Sequence, residues 1–270
     1  MTGTIGTGAP PAEADISAEL VAALIEAQFP ELAGPLTFLN EGWDNVVYRL
    51  GGHHSVRVPR HQMAANISTS ELDWLPRVGR NWSFAAPLPV AIGEPGLGYP
   101  WRWSIVPWIE GTVALEAPLG PDGAAGLGAA LAQVHIPAPD GAPNNEWRGY
   151  PLANRAARFD TRVAMLDGRG EFSVDREAAL DAVANADPRP FLTWCHLDLH
   201  GNNVLSRDGQ LAGILDWGTP ARAIPRLTWV RPGICSVLSC LTCASLRIGR
   251  LVAPPTPPLR ACAPRRSSMP

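Results

Sequence analysis

His196-Leu197-Asp198-Leu199-His200-Gly201-Asn202-Asn203, followed at short range by Asp216-Trp217-Gly218, holds the side chains of this chain best suited to chemistry. An acid stands five residues before an amide, and a second acid follows on what reads as a new strand. This supplies one base and two hard-oxygen ligands. Phosphoryl transfer needs that set, because its catalysis is mostly positioning and charge neutralisation. Asp198 would receive the proton of an attacking hydroxyl, and Asn203 and Asp216 would hold a metal on the phosphates. His196, Asp198 and His200 also alternate, so on a strand they would share a face and form the two-imidazole, one-carboxylate cluster of a metal hydrolase. That alternative requires further ligands, and His53, His54, His61 and His135 supply no paired helical motif. His196 by itself reads as a loop brace.

The elements that must position these groups are legible in outline. Val204-Leu205, a turn at Arg207-Asp208-Gly209-Gln210 and Leu211–Leu215 read as a hairpin with Asn203 at its entrance and Asp216 at its exit. Upstream, Asp15 or Ser17 caps a helix with Leu20, Ala23, Leu24 and Ala27 on one face, ended by Pro30. Strands are expected at Leu36–Leu39, Val46–Leu50 and Ser55–Val58, the last two flanking Gly51-Gly52. A helix is expected over 62–78, then strands near Leu88–Ile92 and Trp101–Val106. Together these make a small, mostly antiparallel lobe. From Trp108 the pattern turns helical: Asp122 caps a helix lined by Leu127, Leu131 and Val134, and 152–166 and 174–184 are further helices.

Composition bounds the rest. The chain has 270 residues, 46% hydrophobic and 17% charged, which is globular. It contains no lysine, so all 22 basic residues are arginine. No apolar leader and no long uncharged apolar stretch is present, so a cytoplasmic location with no membrane or nucleic-acid partner is expected; the oligomeric state is left open. Residues 1–216 carry 25 acids against 14 arginines, a net −11. Residues 217–270 carry eight arginines and no acid, with four of the five cysteines. Cys240-x-x-Cys243 lacks a second ligand pair and reads as neither a zinc nor a redox site.

These blocks resemble the aminoglycoside phosphotransferase and choline kinase-like family, whose loop typically reads His-Gly-Asp-Leu-His-x-x-Asn; here Leu197 stands in place of the usual Gly. The resemblance runs from about residue 18 to Gly218 and includes Gly42-Trp43-Asp44-Asn45-Val46-Val47-Tyr48, similar to the nucleotide-covering turn. It implies an α+β, two-lobed protein kinase-like fold. The expected division is a disordered 1–14, a nucleotide-binding lobe 15–107, a partial catalytic lobe 108–218 and an irregular tail 219–270. It also implies ATP or GTP as donor, magnesium, and a small hydroxylated acceptor. Carried over by position, Arg57 matches the residue, usually Lys, that pairs the nucleotide phosphates, and Glu71 matches its ion-pair partner. Asn45 belongs to the covering turn. Val106 and Trp108 lie in the interlobe hinge, whose backbone would meet the purine. The acidic balance of 1–216 favours a cationic acceptor such as an aminoglycoside or amino alcohol.

After Gly218 the likeness stops. Family members usually continue Gly-Asp-Pro-x-x-Asp-Leu into several helices. Here 219–229 read Thr-Pro-Ala-Arg-Ala-Ile-Pro-Arg-Leu-Thr-Trp. Written in GC-rich codons and read two bases later, the same stretch gives Pro-Gly-Ala-Gly-Asp-Pro-Ala-Ala-Asp-Leu. A frame disruption near residue 219 is therefore expected. The alternative function is then an inactive kinase-like remnant that at most binds nucleotide.

Overall fold

The computed structural model describes residues 9–145, 161 and 193–218, and the backbone of 221–223. Helix α1 (Ala18–Gln28) starts where Ser17 Oγ accepts the Leu20 N–H at 3.3 Å, and Asp15 in turn accepts from Ser17. Strands β1 (Leu36–Glu41), β2 (Asn45–Leu50) and β3 (His54–Pro59) follow as an antiparallel meander. Helix α2 (Gln62–Gly79) crosses before β4 (Ala91–Gly93) and β5 (Trp103–Pro107) complete a five-stranded sheet in the order β1-β2-β3-β5-β4. Beyond it come β6 (Thr112–Val113), α3 (Pro121–Val134), β7 (Thr193–Cys195), a 3-10 turn at Gly201–Asn203, β8 (Val204–Arg207), β9 (Gln210–Ile214) and β10 (Ala221–Ala223). Strands β6, β8 and β9 form one small sheet and β7 with β10 another.

The pleat explains how the first sheet serves two purposes. Alternation along β2 sends Val46, Tyr48 and Leu50 into a core shared with Val21, Leu24 and Ile25 of α1 and with Trp103 and Ile105. It leaves Asn45, Val47 and Arg49 on the opposite face. The register pairs Val47 with Arg57, so Arg57 shares that face. A second core gathers Leu119, Leu127, Leu131 and Val134 around Trp194, Val204, Ile214 and Trp217. Helix α2 joins the two, placing Ala65 in the first and Leu75 in the second.

Several boundaries differ from expectation for local reasons. Strand β4 is only Ala91–Gly93 because Pro87 and Pro89 lack N–H donors for a longer ladder. Gly120, not Asp122, is the N-cap of α3; Pro121 takes the first turn with Asp122 behind it. Residue 13 lies in the stretch expected to be disordered, yet Glu13 donates its N–H to the Arg60 carbonyl at 2.8 Å and accepts from the Gln62 N–H at 3.0 Å. In the segment expected to be irregular, Ala221–Ala223 pairs antiparallel with Thr193–Cys195. The helices expected at 152–166 and 174–184, apart from residue 161, and the rest of the tail with its cysteines lie outside the described residues. Among the described residues, no helix is long and apolar enough to cross a membrane.

Candidate active site

The five-stranded sheet and the β6-β8-β9 sheet border a cleft of about 540 Å³. From the first come Asn45, Val47, Ser55 and Arg57, with the Gly42-Trp43-Asp44 turn; from the end of β5 and the residue after it come Val106, Pro107 and Trp108; from the β6-β8-β9 sheet and its flanks come Asn203, Leu205 and Asp216. Six of the eight residues singled out from sequence thus border one space: Asn45, Arg57, Val106, Trp108, Asn203 and Asp216. Glu71 and Asp198 stand just behind it, each tied to a bordering residue.

Glu71, buried on α2, accepts from Arg57 Nη1 at 2.5 Å. Burial works against the Arg57 charge, but Glu71 and Asp216 outweigh it and hold the guanidinium protonated. Burial also lifts the Glu71 carboxyl above its ordinary range, against the pull of Arg57 and of the Trp217 backbone N–H. The pair therefore links β3, α2 and the Asp216-Trp217 turn. Gly218 is required in that turn because a Cβ there would meet Ile67 Cγ2 of α2 at 2.8 Å.

The Asp198 loop is held by its neighbours' side chains. His196 is fully buried against Trp217, with ring centroids 4.5 Å apart. Its Nδ1 accepts the Asp198 N–H at 3.2 Å, so its Nε2 carries the proton donated to the Leu215 carbonyl at 2.8 Å. Burial lowers its pKa and keeps it neutral. Both ring nitrogens are thus engaged in bracing the loop to the residue before Asp216. Asn203 Nδ2 donates to the Asp198 carbonyl at 2.9 Å and lies 3.5 Å from Asp216 Oδ2. Leu197 and Asp216 both adopt left-handed backbone, φ 65° and 57°. The Gly usual at the first of these positions would take that conformation without the roughly 1–2 kcal/mol cost borne by a side chain.

The hydrolase alternative does not survive this geometry. His196 is committed to the backbone, and among the described residues no three His, Cys, Asp or Glu gather as a metal cage. Asn203 and Asp216 instead offer a carboxylate and an amide side by side at the cleft. That donor set fits a hard cation completing its shell from phosphates and water.

At the hinge the reading from sequence needs adjustment. The backbone N–H of Trp108 donates to the His53 carbonyl at 2.8 Å, and Arg49 covers the Trp108 ring at 3.8 Å, so that backbone N–H is spent within the protein. The Ile105 carbonyl points the other way and accepts from Val90 at 2.9 Å. By strand alternation the Pro107 carbonyl faces that same side, beyond the end of β4. Arg60 and His61, which hold the covering turn, were not singled out from sequence; only their position directly after the Arg57 strand hinted at them.

The phosphotransferase enzyme family model matches residues 35–224, and a comparison with curated proteins finds none that matches the chain. Among solved structures, the GDP complex of aminoglycoside 2'-phosphotransferase-IIIa superposes with a TM-score of 0.64 at 19% identity, over 86% of this chain and 83% of that one. The macrolide 2'-phosphotransferase of Brachybacterium faecium gives 0.57 at 17%, over 87% and 84%. ADP-bound APH(2'')-Ib gives 0.56 at 15%, over 87% and 86%. The chain belongs to the phosphotransferase enzyme family, small-molecule kinases built on the protein kinase-like fold.

Proposed function

We propose that this chain moves the γ-phosphoryl group of ATP or GTP to a hydroxyl of a small molecule. The observation that carries the reading is the convergence on one cleft of the Arg57–Glu71 pair, Asn203, Asp216 and the braced Asp198 loop. Complexes of similar proteins with GDP and ADP support a nucleotide donor. Similar proteins named for aminoglycosides and macrolides support an antibiotic-like polyol as acceptor.

Each residue then has a task. The Pro107 carbonyl is an acceptor for an amino group of the purine. Arg57 has five N–H donors where lysine's ammonium has three, so pairing with Glu71 leaves others for phosphate oxygens. Asn203 and Asp216 would hold magnesium, which when bound neutralises charge on the phosphates. Asp198 accepts the proton of the acceptor hydroxyl as its oxygen bonds to the γ-phosphorus. The bond from that phosphorus to the β-phosphate oxygen breaks, and the nucleoside diphosphate leaves.

Thermal-shift titration with nucleotide, with and without magnesium, tests the reading when paired with a turnover assay. Wild type should be stabilised by magnesium nucleotide, and Asn203→Ala and Asp216→Ala should each lose most of the magnesium-dependent part. Equal stabilisation of all three proteins would remove these residues from the site. Zinc restoring activity to metal-stripped protein, where magnesium does not, would overturn the assignment.

A further inference from the structure

The Gly42-Trp43-Asp44 turn borders the cleft, yet it packs little: the Trp43 side chain is 50% exposed. Its backbone is held from behind by two consecutive residues that do not border the cleft, Arg60 and His61, exposed by only 2% and 1%. Arg60 Nη1 donates to the Gly42 and Trp43 carbonyls at 3.1 and 3.3 Å, and Arg60 N–H donates to the Asp44 carbonyl at 2.9 Å. Nη2 of Arg60 forms an ion pair with Glu41, where the turn begins. His61 Nε2 lies 3.2 Å from the Trp43 carbonyl. Three successive carbonyls therefore point toward residues 60 and 61. In planar trans peptides the next N–H is antiparallel to each carbonyl, so the N–H groups of Trp43 and Asp44 point away from Arg60 and His61, toward the cleft side. Successive N–H groups aimed into a concavity form an anion site.

His61 also does a second job. Its Nδ1 accepts the Ala64 N–H at 3.1 Å and caps α2, so Nε2 carries the proton given to Trp43. One imidazole thus joins the turn to the helix that bears Glu71, and through Glu71 to Arg57. Glu13 closes the same joint from outside, bonded to the Arg60 carbonyl and the Gln62 N–H. Burying an arginine is costly unless its donors are used. Here Nη1 is used on the backbone of the turn and Nη2 on Glu41, while Nε is buried with no hydrogen-bond partner among the described residues.

Resting on the nucleotide reading above, we propose that Arg60 and His61 are positioning residues for the donor's phosphates. They hold the Gly42–Asp44 turn so that its N–H groups face the phosphate oxygens, and they register it against the α2 helix that positions Arg57.

The test compares adenosine with ADP and ATP, in magnesium, on the full chain by equilibrium binding. His61→Asn keeps a good helix cap but is too short to reach the Trp43 carbonyl. Arg60→Met keeps bulk and removes the donors. Each variant should bind adenosine within about twofold of wild type and ATP and ADP at least about tenfold more weakly, the scale of one lost charge-assisted hydrogen bond. Where turnover is measurable, the KM for nucleotide should rise while the KM for acceptor holds. Equal weakening of adenosine and ATP means a merely structural role and overturns the proposal, as does unchanged ATP affinity. His61→Asn carries the test if Arg60→Met does not fold. Wild type binding ATP no better than adenosine overturns the nucleotide reading itself, and this inference with it.

Discussion

Arg57 stands where the resemblance leads one to expect lysine, and the structure shows how the exchange is accommodated. Glu71 takes one guanidinium donor at 2.5 Å and the planar fork keeps others available. Removing one partner of a buried pair leaves a bare charge, at a cost of about 3–5 kcal/mol, whereas removing both costs far less. Arg57→Ala should therefore destabilise the protein strongly in urea, and adding Glu71→Gln should restore much of the loss. A double variant no more stable than the single one would show that the pair does not set stability at this site. Arg57→Lys should retain the pair and most nucleotide affinity. Leu197 is the other residue-scale departure. Its φ of 65° gives a physical reason for the Gly expected there, and the Leu side chain that stands in its place is buried.

At the scale of elements, Trp217 is the pivot. It is fully buried against Trp82, Phe84 and His196, and its indole N–H is donated to the Ile214 carbonyl at 3.0 Å. It fixes the exit of β9 and thereby Asp216. Trp217→Ala should cost about 3–5 kcal/mol and weaken magnesium-dependent nucleotide binding, while Trp217→Phe should recover most of both. Urea unfolding and nucleotide titration measure these. A stable Trp217→Ala protein with intact binding would contradict the role. The β8–β9 hairpin was legible because its turn and alternation are local signals. So were β2 and β3, whose pleat puts Arg57 and Asn45 on one face. The caps were less legible. His61 caps α2 with an imidazole, a residue type that carries no strong cap signal, and Gly120 caps α3 only because Pro121 follows it. The use of Arg60 on the covering turn was not legible either, since it joins positions 18 and 17 residues apart through side-chain contacts with no periodicity.

Across the whole molecule, the hinge is braced to both sheets. Arg49 of β2 reaches the Glu110 carboxylate at 3.4 Å and Arg207 of β8 reaches the Glu110 carbonyl at 3.4 Å. Acid should loosen the second core first. His135 and His196 are buried neutral; burial, with the nearby His196, brings His135 from 6.5 down to about 4. Folded values below unfolded ones mean this stability is complete above about pH 6.5 and is lost as pH falls toward 4, because the unfolded chain takes protons the fold refuses. At about 1.4 kcal/mol per unit, His135 contributes at most roughly 3 kcal/mol. The melting temperature should fall from pH 7 to 4.5, and His135→Gln should flatten that slope; equal slopes would contradict the assignment. The frame disruption expected near residue 219 is checked on the coding sequence. A one-base change should yield Gly-Asp-Pro-Ala-Ala-Asp-Leu followed by amphipathic helices, in a more soluble and more active protein, whereas an early stop in that frame removes the idea. The central claim is phosphoryl transfer from this cleft. It is tested most directly by following γ-labelled ATP and GTP with pooled aminoglycosides, macrolides and amino alcohols, for wild type and Asp198→Ala. Label should enter an acceptor with wild type and fall by about 10²–10⁴-fold with Asp198→Ala, nucleotide binding being retained. Folded wild type that binds nucleotide with magnesium yet labels no acceptor, or an Asp198→Ala protein with undiminished transfer, would contradict it.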